Sequence, residues 1–176
     1  MEQAERGLLM VFTGDGKGKT TAALGAALRA VGQGLKVLMI QFIKGGWRYG
    51  ELDAARLLGE AFQIRPMGRG FVNPAQPDPK DVEAVGQAWQ GALSEMRSGA
   101  YDMIILDEVN YAVHYGMLNI EQVLEGLASR PPRLHVICTG RYAHPRLIEA
   151  ADLVTEMRPV KHPFDGGIRG RRGIEY

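Results

Sequence analysis

The stretch Leu8-Leu9-Met10-Val11-Phe12-Thr13-Gly14-Asp15-Gly16-Lys17-Gly18-Lys19-Thr20-Thr21-Ala22-Ala23 decides how the rest of the chain is read. A short apolar run, residues 8–12, ends in glycines. An Ala- and Leu-rich segment, residues 19–31, follows and is stopped by Gly32 and Gly34. These features predict a buried strand, a tight turn and a helix. The glycines let the backbone fold back so that successive N–H groups point inward as an anion nest, and the following helix adds its positive end. Lys19 has the reach for the outer phosphates of a nucleotide, and the Thr20 hydroxyl suits Mg²⁺. Lys17 brings a second ammonium to the loop, which Gly14, Asp15, Gly16, Gly18 and Thr21 complete. The segment therefore reads as a phosphate loop, though a shortened one. Thr13 stands where the usual pattern has its first glycine, and only three residues separate Gly14 from Gly18. A glycine-rich turn with incidental lysines is the other reading; the Gly-Lys-Thr-Thr ending between a strand and a helix argues against it.

Outward from this loop the pattern repeats. Residues 37–43 are apolar at nearly every position, the look of a strand covered on both faces in a parallel sheet. A short helix is predicted over 51–58, a weaker strand over 62–67 and a loop over 68–79. Asp78 caps a long helix, and Pro79 takes its first position, where a missing N–H costs nothing. That helix runs to Ser98 and stops at Gly99. A strand follows over 103–106. Asn119 opens the next helix with Gln122 at capping-box spacing, with Leu118 and Val123 as a hydrophobic staple, and Pro131 ends it. Residues 134–139, 145–150 and 153–157 read as strand, helix and strand. The alternation predicts an α/β fold: a mostly parallel β-sheet with flanking helices, joined by right-handed crossovers, of the RecA-like phosphate-loop NTPase kind. Ligands on such sheets bind at the carboxyl ends of the strands.

Length and composition agree. The chain has 176 residues, 45% hydrophobic and 23% charged. That size reads as one domain, 1–176, and the composition excludes a disordered or fibrous chain. No apolar run approaches a membrane span, and the charged N-terminus is no signal peptide, so a cytoplasmic location is the expectation. The single cysteine, Cys138, lies in an apolar strand and reads as a core residue. Net charge is +1, which gives little support for nucleic-acid binding. Residues 158–176 carry Arg158, Lys161, Arg169, Arg171 and Arg172 against Asp165 and Glu175. On composition alone this basic tail reads as a solvated end.

A second motif joins the first. Met103-Ile104-Ile105-Leu106-Asp107-Glu108 is an apolar strand that delivers two carboxylates to the sheet edge, where one can hold Mg²⁺ directly or through water. Thr20, Asp107 and Glu108 are thus the candidate metal set. The two motifs together specify a nucleoside triphosphate with a divalent cation, without naming the reaction.

Beyond the two motifs, the chain resembles the phosphate-loop corrinoid adenosyltransferases nearly end to end. The resemblance rests on residues 14–23 of the loop, on Gln41-Phe42-Ile43-Lys44-Gly45 with Trp47, Gly50 and Glu51, and on Met67-Gly68-Arg69-Gly70-Phe71. It continues through Leu106-Asp107-Glu108-Val109-Asn110-Tyr111, Thr139-Gly140-Arg141 and Arg158-Pro159-Val160-Lys161-His162-Pro163-Phe164, to Gly173-Ile174-Glu175-Tyr176. The shortened loop is this family's form. The resemblance implies that Co(I) of a reduced corrinoid attacks the ribose C5′ of ATP, the co-substrate, with Mg²⁺ or Mn²⁺ present. The adenosyl group passes to cobalt and inorganic triphosphate leaves. It implies that ATP lies reversed, so that the loop holds the departing triphosphate. Lys19, Thr20, Glu108 and Phe71 become the catalytic candidates, with no general base required. A reduced corrinoid, an electron donor such as a flavoprotein reductase and a homodimer are the implied partners.

Individual residues follow from the same resemblance. Phe71 matches an aromatic that crowds the lower face of the corrin ring and excludes an axial ligand; the second aromatic of that device is replaced here by Asn73. Trp47 and Glu51 stand at family-matching positions. Arg29, ten residues after Lys19 and so about 15 Å along the helix, is too far for the same phosphates; it either meets the base or ribose or is a surface arginine. Arg141 follows a strand on the ligand-binding edge and is either a polar substrate contact or a surface ion-pair partner. His114, His135, His144 and His162 have no metal-ligand spacing, but His162 lies in the tail that the resemblance packs on the site or on corrinoid carboxamides. The chain begins seven residues before its first strand, so the longer N-terminal arm of some family members is either absent or replaced. Two competing functions remain at this stage: a small kinase phosphorylating a nucleoside-like acceptor, which would release ADP, and a RecA-like nucleotide switch on nucleic acid.

Overall fold

The computed structural model describes residues 6–46, 49–70, 72–73, 76–167 and 169–174. In chain order the elements are β1 (Leu9–Thr13), α1 (Lys19–Gly32), β2 (Val37–Gln41), α2 (Gly50–Leu57), β3 (Phe62–Pro66), α3 (Pro79–Ser98), β4 (Met103–Asp107), α4 (Val109–His114), α5 (Ile120–Ala128), β5 (His135–Thr139), α6 (Pro145–Ala150) and β6 (Leu153–Glu156). One sheet has the order β3-β2-β4-β5-β1-β6, and every pairing in it is parallel. No helix among the described residues is long and apolar enough to cross a membrane.

The sheet separates two cores. Leu38, Ile40, Ile104, Leu106, Val136 and Cys138 face a layer that includes Val85, Trp89 and Met96 of α3, Ala112 of α4 and Val123 of α5. Val37, Met39, Ile105 and Ile137 face the other way, onto Ala23, Ala27 and Ala30 of α1. The near-continuous apolar runs of β2 and β4 are needed because both faces of these strands are covered. All five residues of each are buried, whereas all four residues of the edge strand β6 are exposed.

Most predicted elements match to within a residue or two. Asp78 caps α3 by accepting from the Lys80 N–H at 2.7 Å, and Gly99 ends it in a left-handed turn. Three details differ. Residues 42 and 43 leave the sheet, so β2 stops at Gln41. Asn119 caps α5, but accepts from the Glu121 N–H, and the helix ends at Ala128, before Pro131. Helix α4 was not predicted: it is six residues long and follows Glu108, whose left-handed backbone (φ 65) no propensity rule anticipates.

The contact between α3 and α5 has little slack. A Cβ on Gly126 would lie 2.6 Å from Cζ2 of Trp89 and 2.7 Å from Cδ2 of Leu93. Overpacking of this kind costs about 1–3 kcal/mol, against which alanine's better helix propensity returns about 1 kcal/mol. Gly126→Ala is therefore expected to lower the unfolding free energy in urea, by on the order of 1 kcal/mol net. An unchanged or raised midpoint would show that the Trp89 ring can shift to make room.

Candidate active site

The carboxyl ends of three central strands, β2, β4 and β5, meet around one carboxylate, that of Asp107. The register of β2 on β4 sets Gln41 beside Asp107. The register of β4 on β5 pairs Leu106 with Cys138, which brings Thr139 level with Asp107. Asp107 is fully buried. Its Oδ1 accepts from Thr20 Oγ1 at 2.9 Å and from Thr139 Oγ1 at 2.8 Å. Its Oδ2 lies 3.4 Å from Gln41 Nε2 and 3.9 Å from Lys44 Nζ. The two sequence motifs are thus joined directly, since Thr20 belongs to the loop and Asp107 to the strand.

The phosphate loop runs from the end of β1 to the start of α1, as predicted, but its amides are not all turned inward. The Gly16 N–H donates to the main-chain carbonyl of Met157 at 2.7 Å, and the Met157 N–H donates to Thr13 at 2.8 Å. The chain leaving β6 is therefore strapped against the loop. A Cβ on Gly14 would lie 2.4 Å from the Met157 carbonyl oxygen, and one on Gly16 would lie 2.8 Å from it. These glycines are required by backbone packing as well as by any phosphate. On the inner side, Lys19 Nζ donates to the carbonyls of Gly14 at 2.8 Å and Gly16 at 2.7 Å. Burial pushes the Lys19 ammonium below its ordinary range, with Arg141 adding to the shift and Glu108, Asp15 and Asp107 opposing it.

A cavity of about 410 Å³ opens beside this loop. Asp15, Gly16, Lys17 and Lys19 line it from the loop, Glu108 and Arg141 from the strand ends, and Ile43, Lys44, Tyr49, Gly70, Val72 and Tyr111 from the remaining walls. Glu108 is partly buried, and burial, with the neighbouring Asp107 carboxylate, raises its pKa to about 7 against the pull of Lys19, Lys44 and Arg141. Lys44 was not singled out from the sequence as a site residue. It bonds Glu51 Oε1 at 2.7 Å and stands 4.8 Å from the Tyr49 ring centroid. Burial works against its charge, but Asp107 and Glu51 outweigh that and hold it above the ordinary lysine value. Burial also opposes the Glu51 charge, yet its bond from Lys44 dominates and keeps that carboxyl low.

The structure thus brings together Gly14, Asp15, Gly16, Lys17, Gly18, Lys19, Thr20, Asp107, Glu108 and Arg141, and links Glu51 to them through Lys44. Thr21 and Arg29 are exposed on α1, and neither lines the cavity; Arg29 is in its last turn. Trp47 and Phe71 lie outside the described residues, though the neighbours of Phe71, Gly70 and Val72, are cavity walls. Asn73 is exposed. The tail contains a 3₁₀ turn at Pro163–Gly166, and His162, just before it, is half-buried. Among the described residues no three His, Cys, Asp or Glu side chains converge into a metal cage. Cys138 is buried, and burial pushes its thiol up to about 12, so it is no nucleophile.

The Glu108 shift has a thermodynamic consequence. In metal- and nucleotide-free protein the folded chain keeps the Glu108 proton up to pH about 7, whereas an unfolded glutamate releases it near its ordinary 4.5. The folded state then binds more protons in that window, so the Glu108 contribution to stability declines as pH rises through it. Urea unfolding of the wild type and of Glu108→Gln from pH 5 to 8 is expected to show the wild type losing on the order of 1–3 kcal/mol relative to the variant. Parallel pH profiles would contradict the shift.

The family model described as ATP:corrinoid adenosyltransferase BtuR/CobO/CobP matches residues 5–176. A corrinoid adenosyltransferase of Escherichia coli K12 is 47% identical over 174 residues, which cover 99% of this chain and 88% of the relative. Corrinoid adenosyltransferase CobA of Salmonella typhimurium LT2 is 45% identical over the same shares of the two chains. A corrinoid adenosyltransferase of Pseudomonas aeruginosa is 41% identical, covering 98% and 85%. Among solved structures, the flagellar accessory protein FlaH from Methanocaldococcus jannaschii superimposes with a TM-score of 0.54 at 14% identity, over 86% of this chain and 71% of its own. That likeness shows the fold alone.

Proposed function

The chain belongs to the ATP:corrinoid adenosyltransferase family, and from that premise we propose that its cavity grips the triphosphate of ATP as a leaving group while a corrinoid accepts the adenosyl group. The transfer is a displacement at the ribose C5′. The electron pair of Co(I) forms the new Co–C bond, and the C5′–O bond breaks with its pair going to triphosphate. The enzyme therefore has to stabilise an anion that grows on the departing oxygen. The observation that carries the reading is the direct bond from the phosphate loop to the acidic strand end, Thr20 to Asp107, beside a cavity lined by Lys17, Lys19, Lys44 and Arg141.

The roles follow from that geometry. Lys19 offers a buried ammonium to the phosphates, and Lys17 from the loop and Arg141 from the end of β5 add charge. The hard oxygen donors of Thr20, Asp107 and Glu108 would hold a divalent cation, Mg²⁺ or Mn²⁺. Bound there, the ion would supply positive charge to the leaving group. Lys44 holds Glu51 and balances Asp107 from the β2 side. Gly70 and Val72, the chain neighbours of Phe71, line the cavity, which supports the role of Phe71 on the corrinoid side. Tyr49, Val72 and Tyr111 add an apolar and aromatic part to the lining. A flavoprotein-type electron donor, a homodimer and a cytoplasmic location complete the proposal on the strength of the family resemblance.

Product analysis tests it. Incubation with ATP, Mg²⁺ and a chemically reduced corrinoid is expected to yield adenosylated corrinoid and triphosphate in equal amounts; ADP or orthophosphate as the main product would overturn the reading. Removing a preorganised charge from a leaving group typically lowers the rate about 10²–10³-fold, and Lys19→Ala is expected to lose turnover on that scale. Turnover near the wild-type level would remove Lys19 from the mechanism.

A further inference from the structure

We propose that Thr139, at the carboxyl end of β5, is a positioning residue that locks Asp107 and Glu108 into one metal-binding arrangement. The inference rests on the reading of Thr20, Asp107 and Glu108 as the metal-holding set.

The Thr139 side chain is fully buried. Its hydroxyl donates to Asp107 Oδ1 at 2.8 Å and accepts from the Glu108 N–H at 3.0 Å. The proton is committed to one carboxylate residue and a lone pair to the main chain of the next, so the hydroxyl direction is fixed from two sides. Valine would fill the same space and suits a buried strand equally well. The hydroxyl's presence there is accounted for only by these two bonds, because a buried hydroxyl without partners is costly.

The need for such a lock lies in the backbone. Successive side chains of a strand point to opposite faces. Asp107 and Glu108 are adjacent, and in a continued strand they could not both serve one site. The chain breaks at Glu108, which adopts φ 65, a left-handed conformation rare for residues other than glycine. The break turns Glu108 into the cavity wall while Asp107 stays beneath it, bonded to Thr20. Thr139 supplies the bond to the N–H of the residue in this sparse conformation, and the same oxygen fixes the Asp107 side chain. One hydroxyl from a neighbouring strand thus determines the relative placement of both carboxylates. Thr20 and Thr139 converge on the same Asp107 oxygen, Thr20 from the loop side and Thr139 from the strand side.

The test is metal binding in the absence of corrinoid, so no turnover enters. Binding of Mn²⁺ alone, with no nucleotide added, is followed by electron paramagnetic resonance of the free ion at increasing protein, for the wild type, Thr139→Val, Thr139→Ser and Thr20→Val. Loss of a group that orients metal ligands usually weakens metal affinity about 10–100-fold, which is the expected loss for Thr139→Val, while Thr139→Ser is expected within about threefold of wild type. ATP binding without divalent metal is expected to be unchanged in both. Wild-type Mn²⁺ affinity in folded Thr139→Val overturns the inference, as does a Thr139→Ser protein as weak as the valine variant. If Thr139→Val does not fold, the serine variant decides, because it keeps the hydroxyl and loses only the methyl. Undiminished Mn²⁺ affinity in Thr20→Val would instead sink the metal-holding set itself. A weakened Thr20→Val beside a normal Thr139→Val would remove Thr139 alone.

Discussion

A single buried negative charge organises this molecule. An ion taken out of water costs several kcal/mol unless its partners are close and well aimed. The Asp107 carboxylate is fully buried, and its oxygens meet Thr20, Thr139, Gln41 and Lys44. Those partners come from α1, β5, β2 and the segment just after β2. The Gln41 and Thr139 pairings depend on strand register, because a slip of one residue would turn the polar side chain to the other face. Ile104, Ile105 and Leu106 are buried hydrocarbon between two helical layers. One residue further the same strand ends in a carboxylate. The apolar sheet and the polar site are thus adjacent steps of one chain, and the packing that stabilises the first aims the second.

The phosphate loop obeys a related constraint. Its glycines are packed against the backbone at Met157, and its lysine bonds the loop's own carbonyls from the opposite side. Gly16 spends its N–H on Met157, so the loop is held in shape by protein contacts before any anion arrives. This gives a use to β6, which is exposed along its whole length and adds little to either core. Its register with β1, Thr13 opposite Glu156, delivers Met157 to the loop. An edge strand that looks dispensable by burial therefore sets the backbone of the site.

Much of this was legible in the sequence. Periodicity and caps place the strands and long helices because both report local physics: apolar runs for two-sided burial, Asp78-Pro79 and Gly99 for the ends of α3. The loop and the acidic strand end were equally clear, since phosphate chemistry demands those residue types at those spacings. What escaped was long-range or conformational. Helix α4 starts from a left-handed Glu108, and a non-glycine residue in that region leaves no compositional trace. Lys44 reads as one of six lysines until β2 and α2 bring Glu51 to its side and the register brings Asp107. Thr139 reads as the polar end of an apolar strand, and its role emerges only when β5 is laid against β4. The Met157 strap is made by main-chain atoms, which carry no residue signature at all.

The electrostatics of the cavity then suggest what kind of reaction the fold supports. Lys17, Lys19, Lys44 and Arg141 face it against Asp15 and Glu108. Glu108, with its pKa near 7, is protonated in a large fraction of molecules at neutral pH when nothing is bound, so the wall meeting an incoming polyphosphate is more positive than a count of carboxylates implies. The one thiol is buried with its proton held to about 12. Charge in this cavity is arranged to receive an anion, and the thiol offers no attacking atom. A displacement in which the attacking electron pair arrives with a metal-centred substrate asks for that division of labour: the protein stabilises the group that leaves, and the second substrate brings the nucleophile.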